Sequence, residues 1–194
     1  MKKNIVEYTL LTLFAMIAVA LTRLMPHPFN FTPVAALALY GGAKGKNSAL
    51  SFLLPMAVMA FSDILVMYFL YPENGNPFAY FLTLDVLAVY VSFLLIAGIG
   101  MLIKQKQKAG IILAASLISS LLFYGITNLS SWYQFYPHTF EGLSLAYLAG
   151  IPFYNNEVTG SFFLNQFAGD LFFNTVLFGA HAWVAKTIFK SAQA

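Results

Sequence analysis

The stretch from Arg23 to Gly42, RLMPHPFNFTPVAALALYGG, constrains the fold more than any other. It lies between two long apolar runs, yet it carries a cation, an imidazole, an amide and the prolines Pro26, Pro28 and Pro33. A plain spanning helix is not written this way. Thr32-Pro33 predicts a helix start, with the hydroxyl capping free N–H groups and proline in the first helical position, where its missing N–H costs nothing. Gly41-Gly42 predicts the stop. The helix between them has about ten residues and spans roughly 15 Å, too short for a hydrocarbon core about 30 Å thick. Leu24 to Phe31 is then expected in extended form. Non-helical backbone at membrane depth survives only where protein or a water-filled cavity satisfies its polar groups, so a polar pocket is expected beside it.

Composition supplies the membrane. Hydrophobic residues make up 60% of the chain and charged residues 9%, against about a quarter charged in soluble domains. We read an integral membrane protein, a single transmembrane domain over residues 1–194. The net charge of +3 reflects lysines in the connecting loops; no basic patch lies outside them, so no nucleic-acid partner is expected. Cysteine is absent, which excludes disulfides, iron–sulfur clusters and thiolate metal sites. The start, MKKN before an apolar run ending in Ala18-Val19-Ala20, has signal-peptide features. Its length fits an uncleaved first helix.

Six apolar segments follow in order. They are Ile5–Thr22, the broken stretch above, Asn47–Tyr71 with Pro55 and Asp63, Phe78–Ile103 with Asp85, Ala109–Asn128, and Ser161–Ala185 with Asn165, Asp170, Asn174 and His181. The turn PENGNP separates the third from the fourth. Leu129 to Gly160 is an aromatic-rich loop, too long for an ordinary connection, in which Phe140 to Leu148 is expected as a short interfacial helix. The expected fold is all-α, with six transmembrane segments, a short broken second helix and a long outer loop between segments five and six. Lipid is the first partner. If both termini are cytoplasmic, Lys2, Lys3, Lys44, Lys46, Lys104, Lys106, Lys108, Lys186 and Lys190 share the inner side. Glu73, Glu141 and Glu157 then face outward with no lysine among them, as the positive-inside rule requires.

With that topology the buried polar groups collect in the outer half. An ionisable side chain at the bilayer centre costs about 2.5–3.5 kcal/mol, so three intramembrane aspartates call for a reason. One reason is a ligand pocket open to the outside, lined by Arg23, His27, Asn30, Asp63, Asp85, Asn128 and Asp170, with Trp132 and Tyr136 in an aromatic cover. In such a pocket Arg23 meets an anionic or carbonyl group, the aspartates accept from amides or amines, and the rings stack on a planar ligand. The plainer reading pairs Arg23 with one aspartate and leaves the others capping helices or bonding backbone. His27 alone makes no metal site, and His138 in the outer loop and His181 near the inner end of segment six fall on opposite sides of the bilayer, so neither a metal nor a cofactor is expected.

The first motif resembles a little-characterised family of small bacterial inner-membrane proteins. So do Pro55 with Ser62-Asp63, Asn128, Trp132-Tyr133, Tyr136-Pro137-His138-Thr139, Ala149-Gly150-Ile151-Pro152-Phe153 and Gly169-Asp170. That family in turn resembles the substrate-binding S components of energy-coupling-factor vitamin transporters. It is most similar to the solitary cobalamin-carrying BtuM type, in size, in the Pro-His-Pro loop holding His27, and in the aspartate late in the third helix, Asp63. The resemblance implies vitamin uptake across the inner membrane, a site near the outer face and, for docking types, an ATP-driven coupling partner. This chain has no Walker motif. It also lacks the cysteine that binds cobalt in the cobalamin-carrying type, which leaves His27, a methionine or no protein ligand for a corrinoid. Ala15, Ala18 and Ala20 lack the Ala-x-x-x-Ala spacing of the docking face.

Two other classes stay open. A structural or assembly subunit uses its polar groups for helix packing. An intramembrane aspartyl enzyme would pair Asp85 with Asp170, but Phe167-Ala168-Gly169 before Asp170 lacks the first glycine of the Gly-x-Gly-Asp pattern. No enzyme is expected.

Overall fold

The computed structural model describes residues 2–26, 28, 30–45, 47–71, 77–149 and 162–191. Among them every regular element is helical: α1 (Lys2–Leu21), a single 3-10 turn (Thr22–Leu24), α2 (Val34–Lys44), α3 (Ser48–Leu70), α4 (Pro77–Phe81), α5 (Leu84–Ile103), α6 (Ala109–Phe135), α7 (Phe140–Ala149) and α8 (Phe162–Ser191). Three of these, α3, α5 and α6, are long and apolar enough to cross a membrane.

The short helix expected after Pro33 is present, and it is the axis of the molecule. All residues from Val34 to Ala43 are buried, enclosed by α1, α3, α5, α6 and α8. Its start lies one residue later than Thr32-Pro33 suggested: Pro33 itself takes the cap position and its carbonyl accepts from Leu37 N–H at 2.8 Å. Its end differs more. Gly41-Gly42 does not stop the helix, which continues to Lys44 and gives way at Gly45. The glycines serve packing instead. A Cβ on Gly42 would stand 2.1 Å from the Ala97 carbonyl oxygen, and one on Gly100 would stand 2.3 Å from that of Leu39, so α2 and α5 touch backbone to backbone. Between helices in an apolar solvent, such close approach supplies the association that exclusion from water supplies elsewhere. Tyr40, fully buried, donates to or accepts from His181 Nδ1 at 2.7 Å and sets its ring edge-on to Phe178, which fastens α2 to α8.

Side-chain bonds give the chain's direction. Asp85 at the start of α5 meets Ser130 and Gln134 near the end of α6, while Ser116 and Ser120 of α6 meet Asn174 and Asp170 of α8 in reverse order. One end of the bundle gathers Lys44, Lys104 and Gln107; Gln107 accepts from Lys44 Nζ at 2.6 Å and donates to the Ala43 carbonyl at 3.1 Å, while Lys104 donates to the Gly45 carbonyl. These cations sit where helix C-termini leave carbonyls unpaired. We call this the lysine end, and the opposite one, with Trp132, Tyr133, Tyr136 and Tyr147, the aromatic end.

Two further differences from the sequence reading matter. Segment four is two helices, broken at Leu82-Thr83, with Thr83 in extended conformation as the cap of α5. Asp85 therefore falls in the first turn of α5, exposed, rather than inside a long span; a carboxylate there complements the free N–H groups of the helix start. Segment five runs on to Phe135, so Leu129 to Phe135 are helical and not loop. The short helix expected over Phe140 to Leu148 is α7. Residues 150–160 of that loop, and His27, lie outside the described residues.

Candidate functional site

The polar residues expected in one pocket occupy three places. The first is an ion-pair cluster. The turn after α1 carries Arg23 to α3, where its Nη1 donates to Asp63 Oδ1 at 2.7 Å and to Ser62 Oγ at 2.5 Å. Tyr90 of α5 donates to the other carboxylate oxygen at 2.9 Å. The side chains of Arg23 and Asp63 are 13% and 1% exposed. Both charges are spent on each other, and the cluster ties α1, α3 and α5 together. Tyr90 was not singled out in the sequence, where nothing sets it apart from the aromatic residues around it.

The second place is a cavity of about 550 Å³ at the aromatic end, within the range of small-molecule sites. Asn30, Asp85, Asn128 and Tyr136 line it, as expected of a pocket, together with Tyr124, Ser131 and Gln166, which the sequence did not mark. Each arrives by a local cause. Asn30 holds a left-handed backbone, φ 60°, which asparagine tolerates better than most residues. The chain is seated there by Phe31, whose ring packs on Phe172 and Phe173 at 5.9 and 5.6 Å. Asp85 is placed by the helix break; its Oδ1 accepts from Gln134 Nε2 at 2.6 Å and Ser130 Oγ at 3.0 Å. Its Oδ2 has no hydrogen bond among the described residues, and neither do the side chains of Asn30, Ser131 and Tyr136. Asn128 donates back to the Tyr124 carbonyl at 2.9 Å, which leaves its amide oxygen open.

Helix α7 covers this cavity and is pinned to α6. Tyr124 donates to the Tyr147 carbonyl, Tyr147 donates to the Gly125 carbonyl at 2.6 Å, and their rings meet edge-on at 5.7 Å. Burial pushes the Tyr147 phenol above its ordinary pKa, so it acts as a neutral donor. Trp132 does not line the cavity. Its Nε1–H donates to the Pro137 carbonyl at 2.9 Å and its ring lies 5.5 Å from His138, fixing the turn between α6 and α7.

The third place is the seam between α6 and α8, where Asp170, 1% exposed, accepts from Ser120 Oγ at 2.6 Å through Oδ2. Asp170 borders neither the ion pair nor the cavity. Gln166, one turn earlier on α8, borders the cavity and donates to the Ser120 carbonyl at 3.3 Å. A second cavity of about 340 Å³ opens at the lysine end, lined by Lys44, Ser116, Asn174 and Phe178 among others. No group of three His, Cys, Asp or Glu among the described residues is placed to hold a metal.

One family model matches residues 3–192. The chain belongs to DUF6580, a family of unknown function. No curated protein and no solved structure matches it. For this DUF6580 member the likeness to S components therefore rests on the sequence motifs, and the site has to be judged from its own geometry.

Proposed function

We propose that this DUF6580 protein is a substrate-binding membrane subunit or a solitary uptake protein, and that the aromatic-end cavity takes a small nitrogen heterocycle that is neutral or cationic. The observation that carries this reading is the charge of the lining. Among the described residues Asp85 is the single charged one bordering a space of about 550 Å³, and one of its carboxylate oxygens is unpartnered there. Arg23, the group assigned to an anionic substrate from sequence, is neutralised by Asp63 outside the cavity. A carboxylated vitamin would meet Asp85 with no cation among the described lining residues to offset it, whereas an amine or ring N–H meets an acceptor. Phe123, Tyr124 and Tyr136 supply ring faces for a planar or cationic ligand. The volume supports a molecule of one or two rings over a corrinoid macrocycle with its side chains. Hydroxyl and amide groups of Asn30, Asn128 and Ser131 complete the set of polar contacts that orient such a ligand.

In this reading the aromatic end faces outward, both termini are cytoplasmic in the bacterial inner membrane, and six segments cross, with α2 and its extended lead-in counted as one. The lysines at the other end support that orientation. Release to the inside requires motion that is supplied either by an ATP-driven partner or by an ion gradient. Catalysis has less support: Asp85 and Asp170 share no hydrogen-bond partner, so they do not form the proton-sharing carboxylate pair of an aspartyl enzyme.

The test is equilibrium binding to the purified full-length protein with a panel of vitamins and nucleobases divided by charge. Binding is expected for a neutral or cationic heterocycle, with at least about tenfold weaker affinity, roughly 1.4 kcal/mol, in Asp85→Asn. A protein that binds only carboxylated compounds, or binds equally well in Asp85→Asn, overturns the assignment. A folded, monodisperse protein that binds nothing on the panel moves it to a packing subunit.

A further inference from the structure

The α6–α8 seam lies between the two cavities. Gln166, Asp170 and Asn174 occupy successive turns of α8, so about 12 Å of helix separates the first from the last. Gln166 borders the aromatic-end cavity, Asn174 and Ser116 border the lysine-end cavity, and Asp170 lies one turn, about 6 Å, from either. Asn174 donates to Ser116 Oγ at 2.9 Å, and Ser120 donates to Asp170 at 2.6 Å.

The seam leaves buried polar atoms unpaired. Asp170 Oδ1, Asn174 Oδ1 and Ser119 Oγ are all buried without a hydrogen-bond partner. Native proteins leave few such atoms, and three on one helix pair form a pattern. Charge accounting sharpens it. The guanidinium of Arg23 is held by Asp63, and Lys44 is held by Gln107 at the lysine end. Asp170 has no cationic side chain within reach among the described residues. Three uncharged donors face it, the Ser120 hydroxyl of α6, the Ala36 N–H in the first turn of α2 and the Gln166 amide of its own helix, none of them titratable. His181 is three turns farther along α8, bound to Tyr40. A carboxylate this deep needs a positive charge beside it or a proton on it. With one carboxylate and otherwise neutral oxygens, the donor set suits a monovalent cation and not a divalent metal.

We propose that Asp170, with Asn174 and the serines of α6, binds one exchangeable monovalent cation, a proton or Na⁺, reached from the aromatic end past Gln166 and from the lysine end past Ser116 and Asn174. Because Gln166 contacts both the cavity and the Ser120 carbonyl, occupancy of the cavity and of the cation site are linked through the residue whose hydroxyl holds Asp170. The link rests on the substrate-binding reading; the cation site does not.

The site is read on the purified full-length protein in lipid nanodiscs with no vitamin present, using protons and Na⁺ as the probes. Infrared difference spectra across a pH step should show a buried carboxylic-acid band that is lost in Asp170→Asn and retained in Asp85→Asn. If the ion is Na⁺, wild type instead gains thermal stability in NaCl relative to choline chloride, and Asp170→Asn loses that gain. Ser120→Ala provides a second route should Asp170→Asn fail to fold: removing the donor to Oδ2 must displace the band or weaken the Na⁺ response. The proposal is overturned if neither signal exists in wild type, or if the signal persists unchanged in the variants. A cation signal in a protein that binds no heterocycle leaves this site standing and removes the cavity reading, and the converse separates them in the other direction.

Discussion

Asp63 and Asp170 are both buried, 2% and 1% exposed, each in the interior of an apolar helix. Asp63 has a guanidinium, a phenol and a neighbouring serine arranged around it; Asp170 has only uncharged donors near it, the Ser120 hydroxyl, the Ala36 N–H and the Gln166 amide, with no cation among the described residues. The comparison separates two uses of a carboxylate in a membrane. One with its own resident cation belongs to the architecture, because removing either partner strands the other. One without a resident cation is, in the cation-site proposal above, open to a charge from outside, and that makes it responsive to what the surroundings offer.

The largest expected effect is on the architectural side. Asp63→Ala leaves the largely enclosed Arg23, 13% exposed, uncompensated and should cost about 3–5 kcal/mol, read by reversible unfolding in mixed detergent. The double variant Arg23→Leu/Asp63→Leu should recover most of that loss; no recovery would mean that the pair does more than neutralise itself. Tyr90→Phe removes one hydrogen bond to a charged group and should cost about 1.5–3 kcal/mol in the same measurement. On the other side, Ser120→Ala withdraws the donor to Asp170, and a loss of about 1 kcal/mol is expected, since the carboxyl can take up a proton instead. Asp170→Asn should be smallest, under about 1 kcal/mol, as it retains shape and removes the charge that lacked a partner. A cost for Asp170→Asn as large as that for Asp63→Ala would erase the distinction.

Much of the frame was legible in the sequence, and the reasons it failed elsewhere are physical. Proline and threonine before an alanine-rich run announced a short helix after Pro33, and its near-complete burial follows from that brevity. Gly41-Gly42 misled because glycine serves two purposes, ending helices and letting them touch; only the partner Gly100, far along the chain, decides between them. Asp85 was misplaced because an apolar run hides a break when the residues on both sides are equally apolar. The signal present was Thr83 two positions before an acidic residue, a cap pattern that is easily passed over inside a hydrophobic segment. The plainer pairing of Arg23 with one aspartate is what the structure contains, and Asp63 is the partner. The seam was the least visible part. Ser116, Ser119 and Ser120 are unremarkable until Gln166, Asp170 and Asn174 are brought opposite them.

The burial of α2 also sets an order of assembly. Chains are made from the N-terminus, so when α2 emerges only α1, among its five neighbours, exists. Its 11 residues reach only about 16 Å, too little to rest across the bilayer unaided. Tyr40 waits for His181 and Phe178, more than a hundred residues downstream. The innermost part of the molecule is thus finished last, and a ribosome that stalls before α8 leaves behind an open groove around an undocked helix, a ready target for membrane quality control.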